Sequence, residues 1–319
     1  MSLLSFARYI KPLGKNWTLL FFSAILLLTP GPAAGQDSDK TRQYLYEDTK
    51  QLVTLVEDAA GLLEKQGTAA FREFGVKESR WLNRKYYLFV YDISGICVFH
   101  PATPELVGRN LMQFRDMNGL PVLRYITDVG RRPARDASGW VFYLWEEGTQ
   151  FLPRWKTAYI RKAVTPDGMI YLVGSGSYNI KVEKTFVRDR VNMAVDLIRS
   201  KGQRVAFLEL KNPGSPFHFL DNYIFVMDMN GHVRVDPAYP TFSDRDLTGF
   251  RDFIGRYVVK EMILKLKTSD EAWLQYLLPK PGASLPSRKL AYIRKVRVGK
   301  EDLIVGSDFF MATPVWMKL

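Results

Sequence analysis

The sequence predicts an α+β protein made of two tandem copies of one module, each a long amphipathic helix followed by a mostly antiparallel sheet. Three observations carry this. The two halves match each other over several collinear blocks. Each half opens with apolar residues at helical spacing and continues with apolar–polar alternation. Each alternating stretch is interrupted by an Asp-x-x-Gly reversal, Asp92-Ile-Ser-Gly95 and Asp228-Met-Asn-Gly231. The 319 residues are about twice the ~150 of a typical domain, which leaves room for a leader and two modules.

The chain begins with a signal-peptide pattern over residues 1–35. Arg8, Lys11 and Lys15 form a basic head, and Trp17 to Leu28 an apolar run shorter than the ~20 residues of a membrane span. Pro30, Gly31 and Pro32 break the helix, and Ala33-Ala34-Gly35 supplies small residues for cleavage. This predicts a periplasmic or secreted protein; the alternative is an uncleaved leader anchoring it to the inner membrane. The first module is expected over 36–180 and the second over 181–319.

Internal repeats set the architecture. Lys65, Ala70, Phe71 and Glu73 fall on Lys201, Ala206, Phe207 and Glu209. At the same offset Tyr87, Phe89, Val90, Asp92, Gly95 and Pro101 fall on Tyr223, Phe225, Val226, Asp228, Gly231 and Pro237. Leu111, Phe114, Arg115, Asp116 and Gly119 fall on Leu247, Phe250, Arg251, Asp252 and Gly255. After short deletions, Lys156 to Lys162 meets Lys289 to Lys295, and Val173-Gly174-Ser175 meets Val305-Gly306-Ser307.

Within each copy the elements follow in order. Leu45, Leu52, Val53, Leu55, Val56, Ala59, Leu62 and Leu63 mark the first helix; Phe186, Val187, Val191, Ala194, Leu197 and Ile198 mark its counterpart. A hairpin of Tyr87–Tyr91 and Ile96–Phe99 turns on Asp92 and Gly95, an Asx bond and a positive φ. Pro101 ends it, a loop with short helices follows, and strands at 140–145, 157–162 and 171–178 complete the unit.

The net charge of +12 is spread along the chain. Its one cluster, Arg131, Arg132 and Arg135, is interrupted by Pro133 and reads as a solvated loop, so no nucleic-acid partner is expected. Cys97 is the single cysteine and lies in an alternating strand, where it serves as a small buried hydrophobe. His100, His218 and His232 have no metal-ligand spacing, and no catalytic or cofactor motif is present. The sequence predicts neither an enzyme nor a cofactor.

Each copy resembles a Cache domain, a PAS-like extracellular sensor module, of the single-Cache type. The resemblance rests on Tyr87 to Pro101, Leu106-Val-Gly-Arg-Asn-Leu111, Lys156-Thr-Ala-Tyr159 and Val173-Gly-Ser-Gly176. In the second copy it rests on Lys201 to Phe207, Asn212-Pro-Gly and Tyr223 to Pro237. It implies a sheet that cups a small molecule, commonly a short carboxylate or an amino-acid-like metabolite. It also implies signalling to a membrane receptor or histidine kinase, and the long helices are candidate homodimer surfaces. Such relatives continue across a membrane, whereas this sequence ends at Leu319, so it is expected to be the sensing half alone.

A small anion needs one or two cationic donors, a group that fixes orientation, and aromatic walls. Lys156 and Tyr159 are the leading candidates because they recur as Lys289 and Tyr292, although strict alternation puts residues three apart on opposite faces. Tyr143 and Trp145 share a face and form a wall, unless they are only core packing. His100, Arg109, Asn110 and Arg124 are the further candidates in the first copy. In the second copy, Asp236, Asp244 and Asp246 stand where His100, Gly108 and Asn110 do, and Tyr276 remains. The added acid disfavours a carboxylate there, so Lys289, Tyr292, Asp236 and Tyr276 are expected to take a different ligand or none. The competing reading for both copies is a structural or protein-interaction module with degenerate cups. Arg115-Asp116 and Arg251-Asp252 read as loop braces.

Overall fold

The computed structural model describes residues 40–146, 152–220, 222–279 and 284–311; the leader expected over 1–35 lies outside them. Two five-stranded antiparallel sheets follow one another along the chain. The first is built from β1 (Leu88–Asp92), β2 (Cys97–Phe99), β3 (Ser138–Trp145), β4 (Arg154–Val164) and β5 (Ile170–Ser177), in the order β2-β1-β5-β4-β3. The second repeats that order with β6 (Phe225–Asp228), β7 (Val233–Val235), β8 (Glu271–Pro279), β9 (Pro286–Val298) and β10 (Glu301–Phe310), as β7-β6-β10-β9-β8. Even the irregularity repeats: the hairpin register slips between Val90 and Tyr91 and again between Val226 and Met227.

Each sheet is covered on both faces. Helix α1 (Glu47–Gln66) lays Leu52, Val53, Val56, Ala59 and Leu63 on Leu88, Val90, Phe142, Tyr159 and Val173. Gly67, at φ 62°, ends it, and the short helix α2 (Phe71–Phe74) follows. Helix α4 (Lys184–Lys211) does the same for the second sheet, and its kink at Gly202, at φ 76°, falls where α1 ends. On the opposite face of the first sheet, α3 (Val122–Gly130) packs Val122, Leu123, Ile126 and Val129 on Phe89, Val141, Ile160 and Leu172. Its counterpart α5 (Val258–Thr268) covers Phe225, Met227, Ile293 and Ile304. Period-two alternation therefore sorts the strand residues between a helix face and a cup face.

One close approach recurs in both sheets. A side chain on Gly174 would meet the Phe89 ring at 2.4 Å, and one on Gly306 would meet the Phe225 ring at 2.3 Å. The paired strands can carry those buried rings only because both positions are glycine. The turns behave as expected: Asp92 Oδ1 accepts from the amides of Ser94 and Ile96, and Asp228 Oδ1 from those of Asn230 and His232. Cys97 is buried in the core, and Arg131, Arg132 and Arg135 are exposed. Among the described residues no helix is long and apolar enough to cross a membrane.

The two sheets share one hydrophobic core at the start of α4. Phe186 packs on Trp140 and Phe142, and Phe142 on Phe219. Arg190 is buried there; its Nη2 donates to the Trp140 carbonyl at 2.8 Å and its guanidinium lies 4.9 Å from the Phe142 ring centre. Just before α4, the buried Glu183 carboxylate accepts from the amides of Leu45 and Tyr46, both at 2.9 Å. It ties the entry of α1 to the entry of α4 and places negative charge at the N-terminus of α1, where the helix dipole favours it. Replacing Glu183 by Ala strands two amides and is expected to cost about 2–3 kcal/mol in chemical denaturation. Glu183→Gln, which keeps one acceptor, is expected to lose less; an equal loss would show that the charge contributes nothing.

Candidate ligand site

The cup face of the first sheet concentrates unusual chemistry around Lys156. Lys156 and Tyr143 are direct cross-strand partners on β4 and β3, so both project to that face. The Lys156 side chain is 1% exposed. Its ammonium donates to the Tyr87 hydroxyl. It lies 4.3 Å from the ring centre of Tyr87, 5.3 Å from that of Phe89 and 5.8 Å from those of Trp145 and Tyr178. Aromatic faces attract a cation, but they do not neutralise it. No carboxylate of the described residues comes within ion-pair distance of Nζ. Desolvation accordingly pulls the Lys156 ammonium down to about 7.

His100 closes the same wall. Its ring stacks on Phe89 and approaches Tyr87 at 5.3 Å between centres. It is buried, and its Nδ1 has no hydrogen-bond partner. Burial first, and the Lys156 charge second, lower its pKa to about 4, so it is neutral at physiological pH. The cleft above is lined by Tyr87, Leu106, Phe114, Trp145, Gly176 and Tyr178. Its covering loop is tied down by Asp116, whose Oδ1 accepts from the amides of Asn118 and Leu120 and whose Oδ2 accepts from Leu144 on β3. Asp252 repeats the arrangement with Ile254, Arg256 and Leu277, which makes the recurring Arg-Asp pair a loop brace.

The second cup keeps the frame and changes the charges. Lys289 and Tyr276 are again cross-strand partners. Here Lys289 Nζ is paired with Asp308 Oδ1 at 2.7 Å, and the Tyr276 hydroxyl donates to Asp308 Oδ2. Burial, reinforced by Asp308, holds the Tyr276 hydroxyl well above its ordinary pKa. Asp236 lines the cup and accepts from the amides of Ala238 and Tyr239; burial pushes its carboxyl up.

Of the residues expected from the sequence, the structure gathers Lys156, His100, Tyr143 and Trp145 in the first cup, and Lys289, Tyr276 and Asp236 in the second. It separates the others. Tyr159 is on the helix face, where its hydroxyl donates to Glu57 Oε1 at 2.8 Å, and Tyr292 donates to Glu271 Oε2 at 2.7 Å. Both follow strict alternation, with no bulge to turn them inward. Arg109, Asn110 and Arg124 are exposed outside the cleft. Asn110 latches the hairpin by donating to the Ser94 carbonyl and accepting from the Met112 amide. Asp244 and Asp246 are likewise exposed, so of the three acids expected around the second cup only Asp236 reaches it. The sequence reading missed Tyr87, Phe89, Tyr178, Gly176 and Asp308. Alternation from Gly174 through Gly176 to Tyr178 was the available signal.

A model of the Cache domain family matches residues 75–183 and 213–312. The chain belongs to that family of sensor domains. Over 74 residues it is 36% identical to the methyl-accepting chemotaxis protein McpP of Pseudomonas putida KT2440, covering 23% of this chain and 14% of that relative. It is similar to a Cache chemosensory domain solved for its carboxylic acid recognition, at 23% identity, 40% of this chain, 88% of that one and a TM-score of 0.33. It is also similar to the periplasmic sensory domain of the Campylobacter jejuni chemoreceptor Tlp1, at 10% identity, 81% and 87% coverage and a TM-score of 0.28.

A buried, unpaired lysine costs stability, and the pH dependence follows. An unfolded lysine titrates near 10.5, the folded one near 7. The penalty is therefore full below pH 7 and is relieved as pH rises toward 10.5. Lys156→Met is expected to stabilise the empty protein by roughly 2–4 kcal/mol at pH 6, with the gain shrinking toward zero at pH 10. Denaturation at the two pH values measures this, and a destabilised variant would refute it.

Proposed function

We propose that the chain is an exported small-molecule sensor whose first module binds a short carboxylate. The observation that carries the reading is the Lys156 ammonium, buried in aromatic rings beside the unpartnered His100 Nδ1 and without a carboxylate of the described residues to neutralise it. A ligand carboxylate supplies the missing charge. Lys156 Nζ and the Tyr143 hydroxyl would hold it, His100 would orient the ligand, and Trp145, Phe114 and Tyr178 would exclude water. The signal peptide would deliver the module to the periplasm, where a membrane receptor or histidine kinase would read its state.

Thermal shift of the purified chain against short monocarboxylates, dicarboxylates, amino acids and amines tests the ligand class. A short monocarboxylate at a hundredfold excess over Kd is expected to stabilise by about 2.7 kcal/mol. Lys156→Met should abolish that shift while raising the melting temperature of the free protein. Because the carboxylate binds the ammonium form, affinity should be constant below pH 7 and fall about tenfold per unit above it, with proton uptake on binding. A response to amines alone, or an affinity that rises with pH, would overturn the reading.

A further inference from the structure

We infer that Asp308 is a tethered stand-in for a ligand carboxylate, so that the second cup is occupied by its own chain. The inference shares with the proposed function the premise that the lysine–tyrosine pair is an anion seat. Strand register places Asp308 where the first module has Gly176: Ala158 pairs with Gly176 across β4 and β5, and its counterpart Ala291 pairs with Asp308 across β9 and β10. The lysine and tyrosine stay at matched positions, as the pairs Tyr143–Lys156 and Tyr276–Lys289. One difference at one register position thus separates a cup whose lysine has no carboxylate from a cup whose lysine and tyrosine both grip one.

The chemistry of the exchange is specific. Beyond its Cα, aspartate is a methylene carrying a carboxylate, which is acetate attached through its methyl carbon. Glycine at 176 carries no side chain, and the Lys156 stem passes over it: a Cβ there would fall 2.7 Å from Lys156 Cε, so the lysine lies directly against the position from which Asp308 reaches in the second cup. An external carboxylate meets a different field in each cup. In the first it finds the Lys156 charge and a neutral His100. In the second it finds Lys289 already paired with Asp308, and Asp236 in place of the histidine. Like-charge repulsion and an occupied seat both exclude it. The walls have diverged as well, with Leu278 and Phe310 standing where Trp145 and Tyr178 do.

A purely structural ion pair and a tethered ligand both predict that loss of Asp308 destabilises. Only a tethered ligand predicts chemical rescue. The test uses the full chain carrying Lys156→Met, which silences the first cup, with and without Asp308→Gly. The glycine variant is expected to melt roughly 5–10 °C lower. Free acetate should restore the melting temperature and bind at one site per chain by calorimetry, whereas acetamide, its uncharged analogue, should do neither. Lys156→Met alone should bind no acetate. A folded glycine variant that ignores acetate, or responds equally to acetamide, overturns the inference. If the variant does not fold unaided, refolding in excess acetate but not in acetamide supports it, and failure in both overturns it. Acetate binding by the unmodified chain, lost in Lys156→Met, is the separate readout of the first cup, so either reading can fail while the other stands.

Discussion

A lysine carried on a central strand and turned away from solvent is the constraint around which both cups are organised. Burying an ammonium is costly unless something answers its charge. The chain meets this demand twice at the same place in the fold and answers it differently. Lys289 is paired with an aspartate from the neighbouring strand. Lys156 has the Tyr87 hydroxyl and the rings of Tyr87, Phe89, Trp145 and Tyr178, three of which also line the neighbouring cleft. The depressed lysine and the orphaned histidine nitrogen beside it are two consequences of one omission: polar groups are desolvated there and no counter-charge of the described residues is supplied.

The helix face of the first sheet carries polar ties of its own. On the helix face Glu57 accepts from Tyr159 and pairs with Arg161, and Arg161 also reaches Glu64, which fastens α1 to β4. Strand β3 then joins the two modules. Its residues Tyr143 and Trp145 face the cup, while Trp140 and Phe142 face the start of α4. The Trp140 carbonyl is held by the buried Arg190, whose own pKa burial lowers to about 10. A single strand therefore touches the candidate ligand site with one face and the second module's helix with the other.

The duplication, the order of elements and the antiparallel sheets were legible in the sequence because they rest on periodicity and turn chemistry. Gly95 and Gly231 sit at φ near 90° for the reason the turn reading supplied. The site was legible only in part. Lys156 and Tyr159 looked alike in the sequence, since both recur, and recurrence does not distinguish a cup residue from a core residue. Alternation does, and it correctly opposed them. Arg109 sits in a loop and Arg124 on the solvent side of α3, where charges are normally solvated, and only the fold reveals which charges turn inward. The most informative position lay one residue beyond the matched blocks: they end at Ser175 and Ser307, and the copies part at Gly176 and Asp308.

The retention of Lys289 in the second module bears on what such a pair contributes. A buried ion pair is weak evidence for stability, because an apolar pair of similar volume often serves as well. The rest of that core is filled by apolar residues such as Met227, Met262, Leu266, Ile293 and Ile304. What the pair supplies instead is geometry. Asp308 spans the lysine and the tyrosine across three adjacent strands, β10, β9 and β8, and fixes their side chains in one arrangement. In the first module the same lysine–tyrosine frame recurs as Lys156 and Tyr143, with Gly176 at the register position of Asp308. The two modules thus share the fold and the lysine–tyrosine pair and differ in whether their own chain supplies a carboxylate to bridge it.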